Sequence, residues 1–137
     1  VAQRNARRHG LEHRIDFAAM DLFSAFRTGM ELFDLVVTNP PYIGDREFPG
    51  LAPEVASFEP RQALCGGGPL GVELPLRIVH EVPAFLRWGG HLLMEIGHGQ
   101  ADLLAQSISD GPGGADFQFL RDYSGIIRVM HLQMVER

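Results

Sequence analysis

At 137 residues, 45% apolar and 21% charged, the chain fits one packed domain and excludes a disordered or fibrous protein. A net charge of −5 lacks the basic excess that holds a nucleic-acid backbone, so nucleic acid is not expected as a partner. The single cysteine, Cys65, excludes an intrachain disulfide framework, and no apolar stretch approaches the roughly 20 residues of a bilayer span, so a soluble, cytoplasmic protein without a membrane partner is expected.

The chain opens on "VAQRNARRHGLEHR", without an initiator Met or a capping Ser, Thr, Asp or Asn, and Gly10 suits the end of a helix. It reads as starting inside an element. The expectation is a single, N-terminally truncated domain over residues 1–137. "RIDFAAMD" reads as a short strand ending at Asp21, and "LFSAFRTGMEL" as a loop or short helix broken near Gly29. "FDLVVTN" is a clearer strand, whose run of Leu35, Val36 and Val37 predicts a parallel strand covered on both faces.

Residues 44–69 carry prolines and glycines with little periodicity, which suits a functional loop or lid. Leu76, Val79, Val82 and Leu86 then give helical spacing, with a kink expected at Pro83. "GGHLLMEIG" reads as a buried strand, followed by a helical "QADLLAQSISD" and the turn cluster "GPGG". "DFQFLRD" and "IIRVMHLQMV", joined by "YSG", predict a C-terminal antiparallel hairpin. Strands alternating with helices predict an α/β fold with a mostly parallel sheet.

Ligands of open parallel sheets bind beyond the carboxyl ends of strands, where Asn39-Pro40-Pro41-Tyr42 falls. A residue before proline is driven to extended backbone, and proline contributes no N–H, so this stretch offers carbonyl acceptors and few donors. With the Asn39 side-chain oxygen it forms a rigid cradle for a group bearing two N–H donors, and the Tyr42 ring can stack on a flat π-system. An amide or aromatic NH₂ is such a group. Its lone pair is delocalised, so accepting both hydrogens stabilises the positive nitrogen formed on attack at an electrophile, which points to methyl transfer.

"FDLVVTNPPYI" resembles the core of the HemK family, the S-adenosylmethionine-dependent methyltransferases of the glutamine in the Gly-Gly-Gln motif of peptide chain release factors. Supporting segments follow the family's order: "VAQRNARRHGL", "MDLF", "FEPRQAL", "GGGPLG", "GGHLLMEIG" and "RDYSGIIRV". The resemblance implies a Rossmann-like three-layer α/β/α sandwich lacking its first strands, with S-adenosyl-L-methionine as cofactor and release factors as partners. It implies that Asn39 and the Pro40 carbonyl receive the amide hydrogens while Pro41 and Tyr42 line the substrate, Tyr42 packing on the amide plane. Asn39 would also meet the cofactor, with Asp21 and Leu22 beside its adenine; some members carry tryptophan in place of Leu22. On its own, Asp21 reads as a strand-end or helix-capping carboxylate. The family's glycine-rich cofactor loop and ribose-binding acid would lie upstream of Val1, leaving central strand edges unpaired.

The tetrapeptide is shared with methyltransferases of exocyclic base amines in DNA and RNA, and an inactive fragment could keep it as a release-factor docking surface; both stand as alternatives. Gly66, Gly68 and Gly71 satisfy G-x-G-x-x-G, but without a proper strand before them they read as a loop entering a helix. The histidines show no zinc spacing, so no metal is expected. Arg4, Arg7, Arg8 and Arg14 read as a solvated face. Glu59 could orient an active-site loop, pair with Arg61 or act as a simple cap, and Asp122 with Arg128 could stabilise the hairpin.

Overall fold

The computed structural model of the protein describes residues 1–27, 29, 32–109 and 114–135. Its first helix, α1 (Ala2–Arg8), ends where the sequence places its glycine: Gly10 takes φ +65°, its N–H bonds the Arg7 carbonyl at 3.0 Å, and Leu11 N–H reaches the Ala6 carbonyl at 2.8 Å. A left-handed glycine satisfies the last carbonyls of a helix in this way.

The strand expected over "RIDFAAMD" does not form. Residues 15–20 belong to no ladder and residues 22–25 form turns. A strand exists only by pairing, and among the described residues no strand lies beside this one; Ile15 and Phe17 stay 40% and 41% exposed.

The chain continues through β1 (Phe33–Thr38), the short helices α2 (Pro53–Phe58) and α3 (Arg61–Leu64), and α4 (Glu73–Glu81). It then forms β2 (Leu86–Glu95), α5 (Ala101–Ser109), β3 (Ala115–Arg121) and β4 (Ile127–Met134). The sheet order is β1-β2-β4-β3. The β1–β2 ladder is parallel, β4 runs antiparallel to β2, and β3 and β4 form the expected hairpin. The last strand is thus inserted inside the sheet, which the sequence pattern did not show. Of the turn cluster "GPGG", all but Gly114 lies outside the described residues.

One sheet face carries the core. Leu92 and Met94 of β2 and Met130 and Leu132 of β4 are buried against Ile78 and Val79 of α4, Val82, and Leu104 of α5. Each such side chain contributes about 1.5–3 kcal/mol by leaving water. The helical spacing holds for Leu76 and Val79, which lie in α4, but the helix ends at Glu81: Val82 is buried in a 3-10 turn over Val82–Ala84, and Leu86 opens β2. Pro83 has no N–H to continue the helix, so it converts the last turn instead of kinking a longer one. Burial of β1 on both faces is not observed, since Leu35 is 50% and Val37 68% exposed while Phe33 and Val36 pack on the core.

In the hairpin, Asp122 Oδ1 accepts the N–H groups of Ser124 and Ile126, each at 2.9 Å, and its carboxylate lies 3.6 Å from Arg128 Nε. The stabilising role expected of these two residues has this geometry.

Candidate functional site

The β1–β2 register pairs Thr38 with Met94, so the next step along each strand places Asn39 beside Glu95 at the carboxyl ends. There the chain turns out of the sheet on its two prolines. Asn39 is exposed, and Pro40 is buried. The Asn39 amide makes no hydrogen bond to another described residue, which leaves its oxygen and those of the proline carbonyls as acceptors. Asn39, Pro40, Pro41, Tyr42 and Ile43, with Ala63 and Leu64 of α3, line a cavity of about 200 Å³.

Tyr42 is fixed through both its backbone and its ring. The phenol donates to Glu95 Oε1 at 3.0 Å, and the carbonyl accepts from Gln100 Nε2 at 2.8 Å. Burial of the ring raises the phenol's pKa above its ordinary value, the hydrogen bond to Glu95 and that carboxylate's charge raise it further, and Arg128 acts in the opposite sense. The phenol is therefore a neutral donor, and the ring is held by its edge.

The glycine-rich stretch fits against this turn. Ile43 N–H bonds the Leu64 carbonyl at 2.9 Å and Gly66 N–H bonds the Ile43 carbonyl at 3.1 Å. A Cβ on Gly66 would come within 2.7 Å of Tyr42 Cα, and one on Gly71, whose φ is +67°, would strike the Tyr42 carbonyl oxygen. These glycines permit close backbone approach and lead into α4, as the loop reading expected. The occupant of that space is the tetrapeptide's exit, not a phosphate.

The structure brings Asn39, Pro40, Pro41 and Tyr42 into one cavity and puts Asp21 elsewhere. Asp21 Oδ2 is 3.1 Å from Arg77 Nη2 of α4, and with Phe23, Phe26 and Phe85 it lines a different cavity of about 500 Å³. Leu22 takes φ +47°, uncommon for a residue with a side chain, and packs on the core while Phe23 stacks on Phe85 at 4.8 Å. Glu59 does not pair with Arg61: that guanidinium binds Asp45 Oδ1 at 2.8 Å and lies 4.5 Å over the Phe48 ring. Among the described residues no three His, Cys, Asp or Glu side chains converge as metal ligands, and no helix is long and apolar enough to cross a membrane.

Glu95 and Gln100 escaped the reading of the sequence. The available signal was weak: two polar residues flanking "IGHG", between a buried strand and the first turn of a helix.

No family model matches the chain. It is 41% identical over 130 residues to a protein of Geobacter sulfurreducens named release factor glutamine methyltransferase, covering 95% of this chain and 44% of that relative. A protein of the same name from Rhodospirillum rubrum is 44% identical over 126 residues, 91% of this chain and 37% of its own. Another, from Koribacter versatilis, is 38% identical over 130 residues, 95% and 44% of the two chains. The chain therefore spans less than half the length of these relatives.

Proposed function

We propose, from the premise that this chain belongs to the HemK family of release factor glutamine methyltransferases, that the protein carrying it methylates the side-chain nitrogen of the glutamine in the Gly-Gly-Gln motif of peptide chain release factors. The observation that carries the reading is the cavity at the end of β1, where an Asn39 amide with no hydrogen bond to another described residue and a donor-free proline backbone lie beside an anchored aromatic ring.

A primary amide fits those acceptors. Its two N–H groups would donate to Asn39 Oδ1 and the Pro40 carbonyl, with the amide plane against Tyr42 and Pro41 closing the side of the cleft. As the nitrogen gains the methyl carbon it becomes positive, and the same oxygens then hold its hydrogens more strongly than in the ground state. The extra proton passes to water, since an N-methylated amide cation is strongly acidic. S-adenosyl-L-methionine, when bound, supplies the methyl group as a sulfonium and leaves as a thioether. We assign Asn39 to face it, and Asp21 and Leu22 to its adenine side by resemblance. The glycine-rich loop is packed against other parts of the chain, Gly66 and Gly71 against the Tyr42 backbone and Gly67 and Gly68 against the Glu73 side chain, so it is not the cofactor cradle in this reading.

Full-length protein is the preparation to assay, with S-adenosylmethionine labelled in its methyl group. Label should pass to the release factor and not to a release factor whose motif glutamine is replaced by alanine. Label in DNA or ribosomal RNA alone would favour a base-amine methyltransferase. Release-factor binding without donor binding would favour a docking module.

A further inference from the structure

Gln100 is 4% exposed and its side-chain amide is fully used. Nε2 donates to the Tyr42 carbonyl at 2.8 Å and to the Leu70 carbonyl at 2.9 Å, while Oε1 accepts Gly97 N–H at 2.9 Å. One buried amide thus ties the tetrapeptide's exit, the glycine-rich loop and the β2–α5 turn. Losing any of these bonds would strand a polar group away from water, which makes the junction stiff. Glu95, at the end of β2, holds the other end of the same residue through the phenol at 3.0 Å.

We propose that Glu95 and Gln100 are positioning residues that hold Tyr42 from two sides and so set the tilt of its ring against the Asn39 acceptors. Neither need touch the substrate. Their effect is on the angle at which a planar NH₂ group meets the methyl donor, and a misplacement of about 1 Å there can cost about a hundredfold in rate. Gln100 alone would fix the backbone but leave the ring free to rotate. Glu95 alone would fix the ring's tip while the Tyr42 carbonyl lost its side-chain anchor. The inference rests on the methyl-transfer reading above.

The test is a double-mutant cycle in full-length protein, reading kcat and KM for release factor together with donor affinity by titration. Tyr42→Phe and Glu95→Ala should each lower kcat about tenfold, and the double variant should be no slower than the worse single, with donor affinity unchanged. Glu95→Gln keeps an acceptor oxygen and should recover kcat to within about threefold of wild type. Wild-type kcat in Glu95→Ala, or effects that multiply in the double variant, would overturn the proposal. Gln100→Met keeps volume and removes the hydrogen bonds; below its unfolding midpoint it should lose about tenfold in kcat, and wild-type kcat there would exclude Gln100. If Gln100→Met does not fold, the Glu95 cycle alone decides. The two readings fail differently: wild-type protein inert toward release factor sinks the proposed function, whereas active wild type with independent single effects sinks only this inference.

Discussion

Residues 14–21 and 33–42 carry the same expectation, an apolar strand delivering polar site residues at its carboxyl end, yet only the second behaves so. β1 pairs with β2 and releases Asn39 to Tyr42 into a cavity where Tyr42 is bonded at both ends. The earlier stretch finds no strand partner among the described residues, and Asp21 turns to Arg77 on α4. What separates them is the range of the interactions each requires. Proline stereochemistry fixes the tetrapeptide within a few residues, and one ladder anchors it; residues 14–21 have apolar composition but no ladder to hold them extended.

The sharpest way to break the comparison is at Asn39. If the tetrapeptide is the reacting site, Asn39→Ala in full-length protein should lower methyl transfer by about a hundredfold or more, in line with loss of one oriented partner of developing charge. The side chain is exposed and makes no hydrogen bond to another described residue, so the unfolding midpoint should hardly move. A normal rate would remove the tetrapeptide from the chemistry.

Next in size is Gly71→Ala. The added methyl meets the Tyr42 carbonyl and the Gly44 nitrogen, both backbone atoms, at φ +67°. Neither atom can rotate aside, so a loss of about 2–4 kcal/mol is expected in chemical unfolding. Gly10→Ala is the matching control, because at a similar φ, +65°, its Cβ would meet nothing within 4 Å. It should cost about 1–2 kcal/mol, the conformational part alone. Equal costs would mean that the glycine-rich loop does not press on the tetrapeptide as described.

A smaller effect separates the two regions directly. The Asp21–Arg77 pair is exposed on both sides, so Asp21→Ala should leave the unfolding midpoint unchanged. If Asp21 contacts the cofactor in the full-length protein, the same variant should raise the dissociation constant for S-adenosylmethionine about tenfold. A shifted midpoint with unchanged affinity would make Asp21 a partner of Arg77 and nothing more.

These contrasts follow what the sequence could carry. Periodicity and proline placement gave β1, β2, α5 and the hairpin, and with them the tetrapeptide's place at a strand end. Hidden features depend on residues far apart in the chain. The insertion of β4 between β2 and β3 and the exposure of Leu35 and Val37 reflect which neighbours are present. In the site, Tyr42 was legible because its motif is contiguous. Glu95 and Gln100 lie 53 and 58 residues away from it in sequence, and no local pattern marks a side chain whose partner is a distant phenol or carbonyl.

The smallest expected effect lies in the pH dependence of stability. Burial first, and then the Glu95 hydrogen bond and charge, favour the neutral Tyr42 phenol in the folded protein, so its pKa stands above the ordinary 10.0. The unfolded chain, with its lower pKa, releases the proton first. The stabilisation is therefore fully present below about pH 10 and declines as pH rises through the folded-state value. Denaturant titrations of wild type and Tyr42→Phe should differ by a constant amount from pH 7 to 9, and the difference should shrink above pH 10. Glu95→Ala should flatten that decline, because it removes two of the three causes that raise the phenol's pKa. A difference that stays constant through pH 11 would mean that the phenol is not held as the 3.0 Å bond to Glu95 implies, and the contrast between an anchored Tyr42 and an exposed Asp21 would lose its basis.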